Sequence, residues 1–136
     1  MIRRVFASTA AIAVVALALS ACFHSGPRRP ALVTPANVTL GDSLFNNGGC
    51  QRCHGKAGVG AANAPALNGK KWVQLQTGSY EEIVKIITEG VAQAAIKDPS
   101  HRFPMRPRGG PMNLTDPQVQ AVAAYVWTLT HPTNSR

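Results

Sequence analysis

The chain has 136 residues, 45% hydrophobic and 15% charged, with 14 Lys and Arg set against 6 Asp and Glu. Such a length holds one small domain, whose core is marginal by itself. Three Cys are too few for a disulfide framework. The net charge of +8 comes with no nucleic-acid-binding motif and no basic patch interleaved with aromatics, which argues against that class of partner.

Residues 1–21 read as an export signal. Arg3 and Arg4 precede an apolar run from Val5 to Leu19, interrupted only by Ser8 and Thr9 and too short to span a bilayer comfortably. The run ends in Leu19-Ser20-Ala21-Cys22, which resembles the lipobox of bacterial lipoproteins. That resemblance implies cleavage before Cys22, acylation of its thiol and new amino group, and a membrane anchor worth about 0.8 kcal/mol per buried methylene. An ordinary small-residue cleavage site is the alternative. Phe23 stands where inner-membrane retention signals often carry Asp, so the resemblance points to a periplasm-facing protein on the outer membrane.

Residues 22–38 contain Pro27, Pro30 and Pro35 and show no periodicity. They read as a semi-extended tether, reaching up to ~50 Å at ~3.1 Å per residue. Arg28 and Arg29 either sit against anionic head groups or are simply solvated. The folded domain is expected over 39–136. Thr39 is placed to cap a helix carrying Leu40, Leu44 and Phe45, which Gly48-Gly49 terminate. Gly41 inside that helix costs roughly 1 kcal/mol relative to Ala, a cost that makes sense if another helix crosses there at close range.

Cys50-Gln51-Arg52-Cys53-His54 follows at once. Two thiols three positions apart and then an imidazole form the attachment pattern for a covalent c-type haem. The thiols add to the two vinyl groups of one porphyrin edge, and the turn between them brings His54 under the ring as an iron ligand. A thioredoxin-like pair would need a βαβ context, and a zinc site would need further ligands; the sequence has neither. A buried porphyrin would also supply apolar surface to a core that is otherwise small.

Residues 55–69 fit no helical or strand period and form a loop, whose glycines allow the backbone close to the porphyrin. Trp72 either donates its indole N–H to a haem propionate or fills core. Ser79-Tyr80-Glu81-Glu82 has the form of a capping box, opening a helix with Ile83, Ile86 and Ile87 on one face and a stop near Gly90. From Val91 to Asn113 there is a long loop that only a ligand would organise. The last helix has Thr115 as N-cap, Gln118 completing a capping box and Leu114 with Val119 as a hydrophobic staple. Its stripe is Val119, Val122, Ala123, Val126 and Leu129, flanked by Tyr125 and Trp127, and Pro132 ends it.

The segment Gly41-Asp42-Ser43-Leu44-Phe45, the attachment motif and Pro104-Met105-Arg106-Pro107-Arg108-Gly109-Gly110 together resemble the class I bacterial c-type cytochromes. The resemblance implies a small all-α fold of three to four helices around one covalent haem c, with the first and last helices crossing. It implies that Pro65 offers its carbonyl to His54 Nδ1, although a plain turn-forming Pro is the alternative, and that Leu67 packs on the haem. It makes Met105 the sixth ligand. Arg106 departs from the Pro usual after that Met, and Pro104 and Pro107 offer the rigidity instead. Met112, His101 and an open site are the alternatives for the distal position. His24 and His131 are expected to be solvated.

His and thioether ligation leaves no open coordination position. A Met sulfur raises the potential relative to two His. This describes a carrier of single electrons rather than an enzyme. A haem subunit of a dehydrogenase or reductase complex is the alternative, followed by a haem-based gas sensor. Without Arg3 and Arg4 there are 12 Lys and Arg against 6 Asp and Glu, a formal +6. Arg52, Lys56, Arg102, Arg106 and Arg108 are expected around the haem, where they would steer an acidic redox partner; general solubility accounts for them equally well.

Overall fold

A computed structural model describes residues 29–69, 72–101 and 103–131. The export signal, Cys22, His24, Arg28, Arg102 and Pro132 lie outside the described residues. Four α-helices are present among those described: α1 Pro35–Asn47, α2 Cys50–His54, α3 Tyr80–Glu89 and α4 Asp116–Thr128. Short 3-10 segments at Lys56–Gly58, Gln93–Ala95 and Pro107–Met112 punctuate the connections. The described residues form no strand; two isolated bridges, Ala61–Ala64 and Val91–Met105, stand in place of sheet structure. None of the described helices is long and apolar enough to cross a membrane.

α1 starts earlier than its expected cap at Thr39. Thr34 is the N-cap, its hydroxyl accepting from the Asn37 N–H at 3.2 Å. Pro35 occupies the first turn, where its missing N–H costs nothing. Val33, 2% exposed, belongs to the core. The folded unit therefore takes in residues first assigned to the tether. On the packed side Gly41 and Phe45 are buried and Leu44 is partly buried against the core, as expected, whereas Leu40 is exposed.

α4 is the centre of the molecule. A single apolar stripe underestimates it, because Ala121 to Trp127 are all buried. A helix covered on every side is apolar on every side, and α4 packs against both α1 and α3. Gly41 is the point of closest approach to α1. A Cβ built on it would run into the Ala121 backbone carbonyl and come within 2.9 Å of Tyr125 Cβ. Phe45 and Tyr125 meet beside this crossing with ring centroids 5.4 Å apart.

Caps hold both later helices. At α4 the Thr115 N–H donates to Gln118 Oε1 at 3.0 Å, and Leu114 and Val119 are both buried. At α3 the Ser79 hydroxyl accepts from the Glu82 N–H at 3.2 Å. The Glu82 carboxylate reaches past the cap residue and accepts from the backbone N–H groups of Gln76, Thr77 and Gly78. Hydrogen bonding from Thr77 first, then from the neighbouring amides, holds its pKa down at about 2. His131 is not free in solvent as expected. It stacks on Trp127 with centroids 4.1 Å apart, and its Nδ1 lies 3.0 Å from the Trp127 carbonyl.

Candidate functional site

Between α2, α3, α4 and the loops lies a cavity of about 960 Å³, near the upper end for small-molecule and cofactor sites. Its apolar wall includes Phe45, Leu67, Ile83, Ile87, Val122 and Val126. Cys50, Cys53, His54, Pro65, Trp72, Met105 and Met112 all border it, so the sequence-predicted residues converge on one space.

α2 is a single helical turn and carries the attachment motif. Gly48-Gly49 separate it from α1, and Gly55 closes it by donating to the Gln51 carbonyl at 2.9 Å. Cys50 is half-buried and Cys53 exposed, neither of them in a disulfide; burial pushes the Cys50 thiol above its ordinary pKa. His54 Nδ1 lies 3.2 Å from the Pro65 carbonyl oxygen. Burial lowers the His54 pKa, the Pro65 contact opposes that, and the charge His101 can carry lowers it further. The ring is thus neutral near pH 7, with Nδ1–H directed to Pro65. Its Nε2 has no hydrogen-bond partner among the described residues, which is the tautomer that metal ligation needs.

The loop after His54 is tied back to α1 through Asn46, a contact with no local sequence signal. Asn46 Oδ1 accepts the Ala57 N–H at 2.8 Å, and its Nδ2 donates to the Tyr125 hydroxyl at 3.0 Å. Ala57 is held in a left-handed conformation, φ +55°. Leu67 is partly buried against the core, and its carbonyl accepts the Trp72 indole N–H at 2.9 Å. The Trp72 indole N–H thus has a partner within the chain.

The other loop wall is pinned at Met105, whose backbone exchanges hydrogen bonds of 2.8 and 3.0 Å with Val91. Gly90 makes room for it: φ is +72°, and a Cβ there would run into the Met105 carbonyl. The Met105 thioether has no hydrogen-bond partner among the described residues. Met112 differs, its sulfur accepting the Gly49 N–H at 2.9 Å and so resting on the turn before Cys50. Arg108 bonds to the Leu114 carbonyl at 2.9 Å and to Asp116 at 2.7 Å, which takes it out of any ring of free basic groups. Arg52, Lys56 and Arg106 remain exposed.

A family model described as Cytochrome c matches residues 38–130. The chain belongs to the cytochrome c family. Searches of curated proteins and of solved structures gave no match. One covalently attached haem c is the cofactor of this cytochrome, and the cavity fits it. The space is large and apolar, two thiols lie at its edge, and a neutral imidazole with an uncommitted nitrogen borders it. Haem-based electron transfer is the activity that follows, since the bound haem supplies a one-electron iron couple.

Proposed function

We propose that this cytochrome is an exported, lipid-anchored carrier of single electrons between redox proteins, not a substrate-transforming enzyme. His54 and Met105 are its axial ligands, Cys50 and Cys53 its thioether links, and Cys22 its lipid anchor on the periplasmic side, at the outer membrane. The observation that carries this reading is a pair of uncommitted soft and borderline donors on one cavity. His54 Nε2 is free because Nδ1 is engaged by Pro65, and the Met105 sulfur is free while its backbone is pinned to Val91. The Met112 sulfur is already engaged at Gly49, which favours Met105 between the two.

The protein's own part is to hold both ligands in one arrangement in either oxidation state and to keep water from the iron. Burial by Phe45, Ile83 and Val126 serves the second purpose. Exposed Cys53, with exposed Arg52 and Lys56 beside it, supports docking of an acidic partner near the attachment edge.

The test is a pair of variants. Met105→Ala is expected to abolish the far-red sulfur-to-iron band of the oxidised protein and lower the potential, and Met112→Ala to preserve the band. The opposite pattern moves the ligand to Met112. Cys22→Ser is expected to release soluble protein, and persistence on the membrane would remove the lipid anchor from the proposal. Exchange with an acidic partner is expected to slow steeply as the screening length falls from ~30 Å at 0.01 M salt to ~8 Å at 0.15 M.

A further inference from the structure

His101 is the one imidazole besides His54 that borders the cavity among the described residues; His131 is stacked away on Trp127. Its side chain is 20% exposed. Its Nδ1 lies 3.0 Å from Asp98 Oδ2 and 3.0 Å from the Ser100 hydroxyl. The Ser100 hydroxyl donates to Asp98 Oδ1 at 2.6 Å and its N–H to the same oxygen at 3.0 Å. Those bonds from Ser100, and then the one from His101, hold the Asp98 carboxyl below its ordinary pKa, so it is a carboxylate. A carboxylate on Nδ1–H fixes the tautomer that leaves Nε2 as a lone pair and raises its basicity, the arrangement found behind metal-bound His. Nε2 has no hydrogen-bond partner among the described residues.

The segment bearing this group is itself anchored. Gln74 Nε2 donates to the Ala95 carbonyl at 3.0 Å, Gln74 Oε1 accepts the Lys97 N–H at 3.1 Å, and Lys97 Nζ donates to the Gln74 carbonyl at 3.2 Å. Lys97 is thereby committed and does not compete as a nitrogen donor. Eight positions beyond Lys97 the chain is pinned again where Met105 pairs with Val91. His101 and Met105 thus hang from one short segment fixed at both ends, bordering one cavity.

We propose that His101 is a reserve axial ligand: when the Met105 thioether leaves the iron, His101 Nε2 takes the vacated position. The exchange replaces one neutral ligand with another, the neutral imidazole binding through its Nε2 lone pair while Nδ1–H stays on Asp98. The resulting His54–His101 state has a lower potential than the His–Met state. It keeps the iron closed to small ligands when sulfur is lost, so the carrier fails toward a weaker oxidant rather than toward an open haem. This inference rests on the assignment of haem and thioether made above.

The experiment compares holoproteins by optical and electron paramagnetic resonance spectra and by carbon monoxide binding to the reduced form. In Met105→Ala/Met112→Ala, which lacks both sulfurs whichever one serves, the expected result is a low-spin spectrum of two imidazoles and slow carbon monoxide uptake. Adding His101→Ala is expected to shift the iron to high spin and remove the barrier to uptake. Adding Asp98→Asn instead is expected to weaken the ligand and speed uptake about tenfold or more, an effect a purely structural role for Asp98 would not give. Should the sulfur-free protein misfold, Met105→Ala alone provides the background. A high-spin spectrum before His101 is touched, with uptake indifferent to His101→Ala, overturns the proposal. A far-red band surviving in Met105→Ala instead fails the thioether assignment, while the sulfur-free protein still decides the question of His101.

Discussion

The crossing of α1 and α4 and the loop from Val91 to Asn113 wall the same cavity by opposite means. At the crossing, backbone meets backbone: Gly41 lies against the Ala121 carbonyl with no side chain between them. The loop holds its shape through a few hydrogen bonds, those of Met105 with Val91, of Gln74 with Ala95 and Lys97, and of Arg108 with Leu114. One region is set by packing that tolerates no added atom. The other has free donor atoms and a small number of pins, as befits a wall that must close upon a ligand.

The largest expected effect comes from removing the ligand common to both regions. Cys50→Ala with Cys53→Ala is expected to leave no pigment bound after acidified organic extraction. With a cavity of about 960 Å³ unfilled, the cooperative thermal transition followed by circular dichroism is expected to vanish; a persisting transition would show that the crossing is self-sufficient. Gly41→Val strikes the crossing alone. Its added carbons must enter the Ala121 backbone, and a loss of about 3 kcal/mol is expected in chemical denaturation. An equal effect from an Ala substitution of Gln74 in the loop would erase the contrast. Asn46→Ala, which frees the Ala57 N–H and the Tyr125 hydroxyl, is expected to cost about 1 kcal/mol by the same measurement.

The smallest effect concerns acid. Glu82 has a folded pKa of about 2 against an ordinary 4.5. Its carboxylate therefore stabilises the fold fully above about pH 4.5, and the contribution is lost as the pH falls toward 2. Glu82→Gln is expected to flatten the fall in melting temperature across that window. An unchanged slope would mean that the clamp on Gln76, Thr77 and Gly78 contributes nothing to stability.

The same contrast governs what the sequence made legible. The N-cap at Ser79, the capping box at Thr115, the attachment pentapeptide and the intrusive Gly41 are local signals; both N-caps and the close approach at Gly41 are seen, while Glu82 bonds residues before Ser79 instead of closing the box. Thr39 misled because Thr34-Pro35 four to five residues earlier is an equally good start, and only burial of Val33 distinguishes them. Leu40 misled because hydrophobicity alone does not place it: Gly41 and Phe45 lie toward α4, and Leu40 falls at the exposed edge of that face. Gly49 with Met112, Asn46 with Ala57, Gln74 with Lys97 and Trp72 with Leu67 all join a side chain to a backbone group. Such pairs leave no periodic trace, and their partners become visible only once the chain has folded.

The burial of α4 on every side has a further consequence for how the molecule matures. This centrepiece, Asp116–Thr128, supplies Val122 and Val126 to the cavity wall beside Cys50 and Cys53. Until α4 docks, that wall is incomplete, so the attachment turn is expected to admit the porphyrin most readily before the last packing step. A small protein whose central helix is also a cavity wall couples taking up its pigment to completing its core.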